Sequence, residues 1–358
     1  MKIAAMASSL LGHGLAAVAV LLVPCAAPAA PAGDAAAPAL ERTVIGGAGG
    51  WDYLTADAAR HHVFITRGDR VQVFDTRSLT VTAEVADTEG VHGVALAPRR
   101  LVGLTSNGKS STVTVFDLNT LAPVARITGV GDGPDAIVYD EHSGRAFTFN
   151  GRSHDASVVD IDAARVISTI ALPGRPESAV SDGAGSIYVD IEDRNLIARI
   201  DTASLRVTEQ WPLAGCDGPT GLAIDIAHRR LFASCSNRTL FVVDADTGST
   251  VSRLGIGAGS DAAAFEPSKA LVLSSNRDGT LSLIREIDVD HYASLPSILT
   301  RPGARTLALD TATHRVYLVT ADFEPTPAAA SATARPRPVS KPGTFAVLSF
   351  DLTGYPDR

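Results

Sequence analysis

The sequence predicts an all-β chain folded as a seven-bladed β-propeller, with four-stranded blades and the last blade closed by the N-terminal strand. Three observations predict it. The first is a repeat. The strand-like runs after successive Gly/Pro turns are anchored at Tyr53, Val94, Ile137, Ala179, Leu222, Ala263 and Leu307, which lie 41, 43, 42, 43, 41 and 44 residues apart. A second anchor, the Asp closing another run, keeps step at Asp75, Asp117, Asp160, Asp201 and Asp244, with spacings of 42, 43, 41 and 43. Arg285 replaces that Asp in unit six, and Asp351 restores it in unit seven after an insertion. The second observation is the content of each unit: four short runs rich in β-branched and aromatic residues, separated by Gly, Asn and Asp. About 42 residues carrying four strands is the pattern of a propeller blade. The third is the pair of chain ends. Unit seven ends without a fourth strand, while an orphan strand, Glu41 to Ile45, precedes unit one and completes the ring.

Taken in order, residues 1–29 read as a secretory signal peptide. A basic Met1-Lys2 start leads into an apolar stretch from Ile3 to Val23, and Ala27-Pro28-Ala29 offers a cleavage site. The rival is an uncleaved anchor, but no basic flank follows. Cys25 raises a lipoprotein reading, which Pro24 weakens. Residues 30–40 form an Ala/Pro-rich linker, and the propeller spans 41–354. Unit five shows its pattern: Gly221–Asp225 is strand a, Leu231–Cys235 strand b, Leu240–Asp244 strand c and Thr250–Leu254 strand d. No sustained 3.6-residue period follows the signal, so almost no helix is expected. In unit seven, strand a covers Thr306–Asp310, strand b Val316–Thr320 and strand c Phe345–Asp351. Between b and c, residues 324–343 form a Pro/Ala-rich insertion expected to be disordered or extended.

Composition sets limits. Of 358 residues, 31 are Lys or Arg and 39 Asp or Glu, for a net charge of −8, so nucleic acid is not expected as a partner. Three cysteines are too few for a disulfide framework. Cys216 enters blade five and Cys235 ends its strand b, so both return to one rim. In an exported chain a disulfide between them is expected, against a rival soft-metal thiolate site. No Gly-x-Ser-x-Gly, His-Glu-x-x-His, Cys-x-x-Cys or haem-attachment motif occurs.

The repeat also locates candidate functional residues. His61, His62, His142, His228 and His314 fall in the a–b turns, scattered round one rim, and read as turn residues. The d–a and b–c connections emerge on the opposite face, around the channel mouth. The d–a set is Asp52, His92, Asp135, Glu177, Thr220, Asp261 and Arg305. The b–c set is Arg67, Asn107, Asn150, Arg152, His154, Glu192, Asp193, Asn237, Asn276 and Arg277. From these, Asp52, His92, Asp135, Glu177, Asp261, Arg305, Asn107, Asn150 and Asn276 are the expected ligand-binding residues. Asp52, Asp135, Glu177 and Asp261 are the expected metal ligands, for Ca2+ or another divalent cation, since such donors suit hard ions. No other cofactor is indicated. The competing reading makes these carboxylates backbone caps of their own turns. Trp51, beside Asp52, either flanks a ligand or belongs to the core.

The closes of strand c (Val73-Phe74-Asp75-Thr76, Val115-Phe116-Asp117-Leu118, Ile200-Asp201-Thr202), the turn Gly131-Asp132-Gly133-Pro134-Asp135 and Tyr188-Val189 resemble the YVTN-repeat, or YncE-like, propellers of exported bacterial proteins. The resemblance covers about residues 41–351 and implies architecture rather than activity. The expectation is a periplasmic or secreted, monomeric scaffold without a membrane span after signal cleavage. It would bind a small ligand, metal ion or partner protein at the acidic channel mouth, without catalysis. The alternatives are a metal-dependent hydrolase or lactonase-type propeller and an electron-transfer subunit.

Overall fold

The computed structural model describes residues 38–325 and 338–357. The signal-peptide reading, Cys25, most of the linker and residues 326–337 of the insertion lie outside these residues.

Alternating short runs bounded by tight turns pair with their sequence neighbours, except that the first strand pairs with the last, and the result is seven four-stranded antiparallel sheets. Strand a is the inner strand of each blade: Leu54–Asp57, Val91–Ala97, Pro134–Asp140, Pro176–Ser181, Pro219–Asp225, Ser260–Glu266 and Leu307–Asp310 in blades one to seven. Each packs beside strand a of the next blade, and that of blade seven beside that of blade one, so the ring closes. Blade seven is built from Glu41–Val44, Ala346–Asp351, Arg315–Thr320 and Leu307–Asp310, in that spatial order. The N-terminal strand therefore supplies the outer edge, with Glu41 opposite Ser349 and Val44 opposite Ala346. The only helical elements among the described residues are three single 3₁₀ turns.

The core is also a ring. Seven apolar clusters lie at the seven blade junctions, one per junction. Each blade is too thin to hide its own faces, so burial is shared between neighbours. Phe64 and Phe116, 5.5 Å apart between blades one and two, illustrate the packing. Trp51 packs partly buried against this core, 5.1 Å from Phe345 and 6.2 Å from Phe323.

The periodic Asp that closes strand c is a turn cap. Asp117 Oδ1 accepts from the Asn119 and Thr120 amides, and Asp244 Oδ1 from those of Asp246 and Thr247. In blade six, where Arg285 breaks the pattern, strand c runs three residues further. Asp288 then takes over, accepting from the Asp290 and His291 amides. At the insertion, the stems are paired: Phe323 bridges Ser340, and the Glu324 amide donates to Val339 O at 2.8 Å. Cys216 and Cys235 form a disulfide, with Cα atoms 5.6 Å apart. Among the described residues no helix is long and apolar enough to cross a membrane.

Candidate functional site at the channel mouth

The d–a connections place one residue per blade around the channel. In blades two to six strand a carries a register shift at the corresponding point, while in blades one and seven Asp52 and Arg305 precede an unshifted strand a. In blade two the shift falls between Val91 and Val94, and in blade three between Pro134 and Ile137. The bulge turns His92 and Asp135 out of the ladder. Hydroxyls then tie neighbouring blades together at this level: Thr306 Oγ1 donates to Asp52 O at 2.7 Å, Ser275 Oγ to Arg305 O at 2.5 Å, and Ser106 Oγ to Asp135 O.

Three of the expected residues, from three successive blades, converge. His92 Nδ1 lies 2.6 Å from Asp52 Oδ2 and 3.5 Å from Asp135 Oδ1. One donor atom from each of Asp52, His92 and Asp135 lies within 4.8 Å of the others. Their side chains are 19%, 38% and 25% exposed, although Asp135 Oδ1 itself is buried and has no hydrogen-bond partner. Arg305 completes the arc, with Nη2 3.3 Å from Asp52 Oδ1 and Nη1 paired to Asp261. Arg277 approaches Asp261 at 3.9 Å, and Arg175 holds Glu192 at 2.5 Å. Thr220 turns its hydroxyl to Ser260 O instead.

The crowding shows in the electrostatics. Burial, then the charges of Asp135, Glu192 and Asp52, push the Glu177 carboxyl up to about 9. Burial raises Asp135 to about 6, with His92 opposing the shift. For His92, burial works against protonation, but the hydrogen bond to Asp52 and the charges of Asp135 and Asp52 raise it overall. Tyr53, at the top of the channel, is held far above its ordinary value by burial and by Glu177, Asp135 and Asp52. Below the mouth, a narrow cavity of about 140 Å³ is lined by Leu54, Val94, Ile137 and Ala179, among others.

The three asparagines are placed differently from the expectation. Asn107, Asn150 and Asn276 are wholly buried inside their blades. Asn150 Nδ2 donates to Asp155 Oδ1 at 2.6 Å and Ser157 Oγ at 2.9 Å, while its Oδ1 accepts from Thr148. Asn107 binds Thr112 and Thr114, and Asn276 binds Thr280 and Ser282, in the same way. Their amides pin the b–c hairpin and do not face the mouth. In the rest of the b–c set, Asp193 Oδ1 accepts from the Arg175 amide at 2.7 Å, Asn237 donates to Gly215 O, and Arg152 pairs with Asp132.

On the opposite rim, His228 was legible only as a turn residue. Its Nδ1 lies 2.5 Å from Glu286 Oε1 and 3.3 Å from Asp225 Oδ2, both buried carboxylates. Glu286 comes from blade six, so no local signal joins it to His228.

The fold and the mouth define a class: a seven-bladed propeller whose channel entrance carries an ionic ring. Among solved structures, this chain is similar to a chain of Kuenenia stuttgartiensis hydrazine synthase, with a TM-score of 0.67 at 16% identity, covering 75% of this chain and 92% of that one. At that identity the likeness shows the propeller fold and nothing finer. No family model matches the sequence, and no curated protein matches it.

Proposed function

We propose that this chain is an exported, non-catalytic propeller of the YVTN-repeat type, and that its channel mouth holds a divalent metal ion between Asp52, His92 and Asp135. One observation carries the reading: donor atoms from three successive blades come within 4.8 Å of one another. One imidazole with two carboxylates is a mixed donor set. It suits Zn2+, Mn2+ or Fe2+ better than the Ca2+ that an all-carboxylate site would favour. Glu177, on the next blade, supports the reading as a carboxyl kept protonated by burial and by its acidic neighbours until a cation draws its proton off. Arg305 holds Asp52 and Asp261 from the other side and aims their oxygens.

The competing account is a self-neutralised network, in which Arg305 and protonated His92 balance the carboxylates. Calorimetric titration of metal-stripped protein with Zn2+, Mn2+ and Ca2+ separates the two. Repeating it in two buffers of different ionisation enthalpy counts the protons released. Binding of one ion per chain with proton release, weakened at least tenfold in His92→Ala and Asp135→Asn, is expected. No heat with any ion, or equal binding in both variants, would refute the metal reading and leave the network.

A further inference from the structure

Arg67 follows strand b of blade one (His62–Thr66) and is only 1% exposed. Its guanidinium lies 3.6 Å from the centre of the Phe345 ring, and its Nη2 donates to Ala48 O at 3.0 Å. Its Nε and Nη1 are buried and have no hydrogen-bond partner. Among the described residues no carboxylate pairs with it. The acids that act on it from nearby, Glu84 and Asp69, are held by Arg70 at 3.0 Å and 2.7 Å. Burial draws the group down to about 10, so it remains charged at neutral pH. A charge taken out of water is costly unless a counter-charge meets it, and an aromatic face offsets only part of that cost.

The same residue lines a cavity of about 560 Å³, a volume within the range of small-molecule sites. Gly49, Arg70, Glu89 and Lys109 complete much of its wall. Glu89 is taken by Arg126 at 3.0 Å, whereas exposed Lys109 has no ion pair among the described residues. Two cations, Arg67 and Lys109, are therefore left over. The cover is the segment Gly46–Gly50. Its Ala48 carbonyl accepts from both Arg67 Nη2 and, at 3.2 Å, Arg70 Nη2. Gly46, Gly47 and Gly49 adopt positive φ, so the cover can change course at little steric cost.

We propose that this cleft beneath Gly46–Gly50 binds a small oxyanion, a carboxylate or phosphate group, with Arg67 as its buried anchor and Lys109 at its entrance. The site shares no residue with the metal reading of the channel mouth and stands independently of it. The test is a titration of ¹⁵N-labelled protein with sodium phosphate and, separately, sodium succinate, at ionic strength held constant with chloride. The observable is the Nε–H resonance of Arg67, assigned by its loss in Arg67→Lys. A saturable shift with one or both probes is expected, with phosphate alone or succinate alone identifying the ligand chemistry. Lys109→Ala, an exposed change that leaves the fold alone, should weaken the responding probe at least threefold, and Arg67→Lys at least tenfold by calorimetry. An Arg67 resonance unmoved by either probe would overturn the proposal. So would a calorimetric affinity the same in parent, Lys109→Ala and Arg67→Lys, which would mark an adventitious ion only.

Discussion

A chain beginning at Gly47 would test whether the ring is latched by its first strand. Four register pairs join Glu41–Val44 to Ala346–Asp351, which in an antiparallel ladder means about four hydrogen bonds. The Ile45 and Gly46 amides also donate to Phe345 O, each at 2.9 Å. At a net value of about 1 kcal/mol per ladder bond, the loss is about 4 kcal/mol. Removing half-buried Ile45 from the cluster around Phe345 and Val347 adds roughly 1 kcal/mol. For a domain of about 300 residues the unfolding entropy is roughly 0.6 kcal/mol/K, so about 5 kcal/mol lowers Tm by about 8 °C. The bare edge of Ala346–Asp351 is also a template for a second chain, so the shortened protein should self-associate. Thermal melting by circular dichroism and size-exclusion chromatography read the two effects. A shortened chain that melts within a degree of its parent and stays monomeric would refute the latch.

Replacing Asn150 by Ala removes three hydrogen bonds from a sealed hairpin and should cost about 3 kcal/mol, read by chemical denaturation; a change below about 0.5 kcal/mol would mean that the amide does not clamp the turn. The Cys216–Cys235 bridge closes a loop of 19 residues, so the double Ala variant should lose about 3 kcal/mol, and non-reducing peptide mapping should recover the two cysteines linked. Stability should fall as pH rises from about 4 to 9. Asp135 and Glu177 have folded values raised above their unfolded ones, so the native state binds more protons across that window, and stability present at low pH is lost through about 6 and about 9. His92, also raised, loses its contribution in the same direction above its unfolded value. Glu177→Gln should therefore flatten the pH profile and raise Tm at pH 8 in metal-free protein, with no gain at pH 4; an unchanged profile would show that the Glu177 carboxyl is not held above its ordinary value in the folded protein.

Much of the architecture was written in local residues. Strand runs, capping Asp at the close of strand c and turn glycines each act within a few positions, so the 42-residue period, the seven blades and the orphan first strand could be read without coordinates. The disulfide followed from the same register, because a hairpin returns its two ends to one rim. Ring position was legible too: equivalence in the repeat placed Asp52, His92 and Asp135 on one mouth. Side-chain direction was not. Asn107, Asn150 and Asn276 occupy rim-side positions in the repeat, yet a buried hydroxyl on the next strand of the same hairpin captures each amide, because an unpaired polar group inside a blade is costly. Contacts across blade junctions were equally invisible. His228 meets Glu286 from 58 residues away, and Arg67 lies on Phe345 from the far end of the chain. A repeat determines which residues share a level of the ring. Only the packed ring decides which of them touch, because that depends on how the twisted faces of neighbouring blades meet.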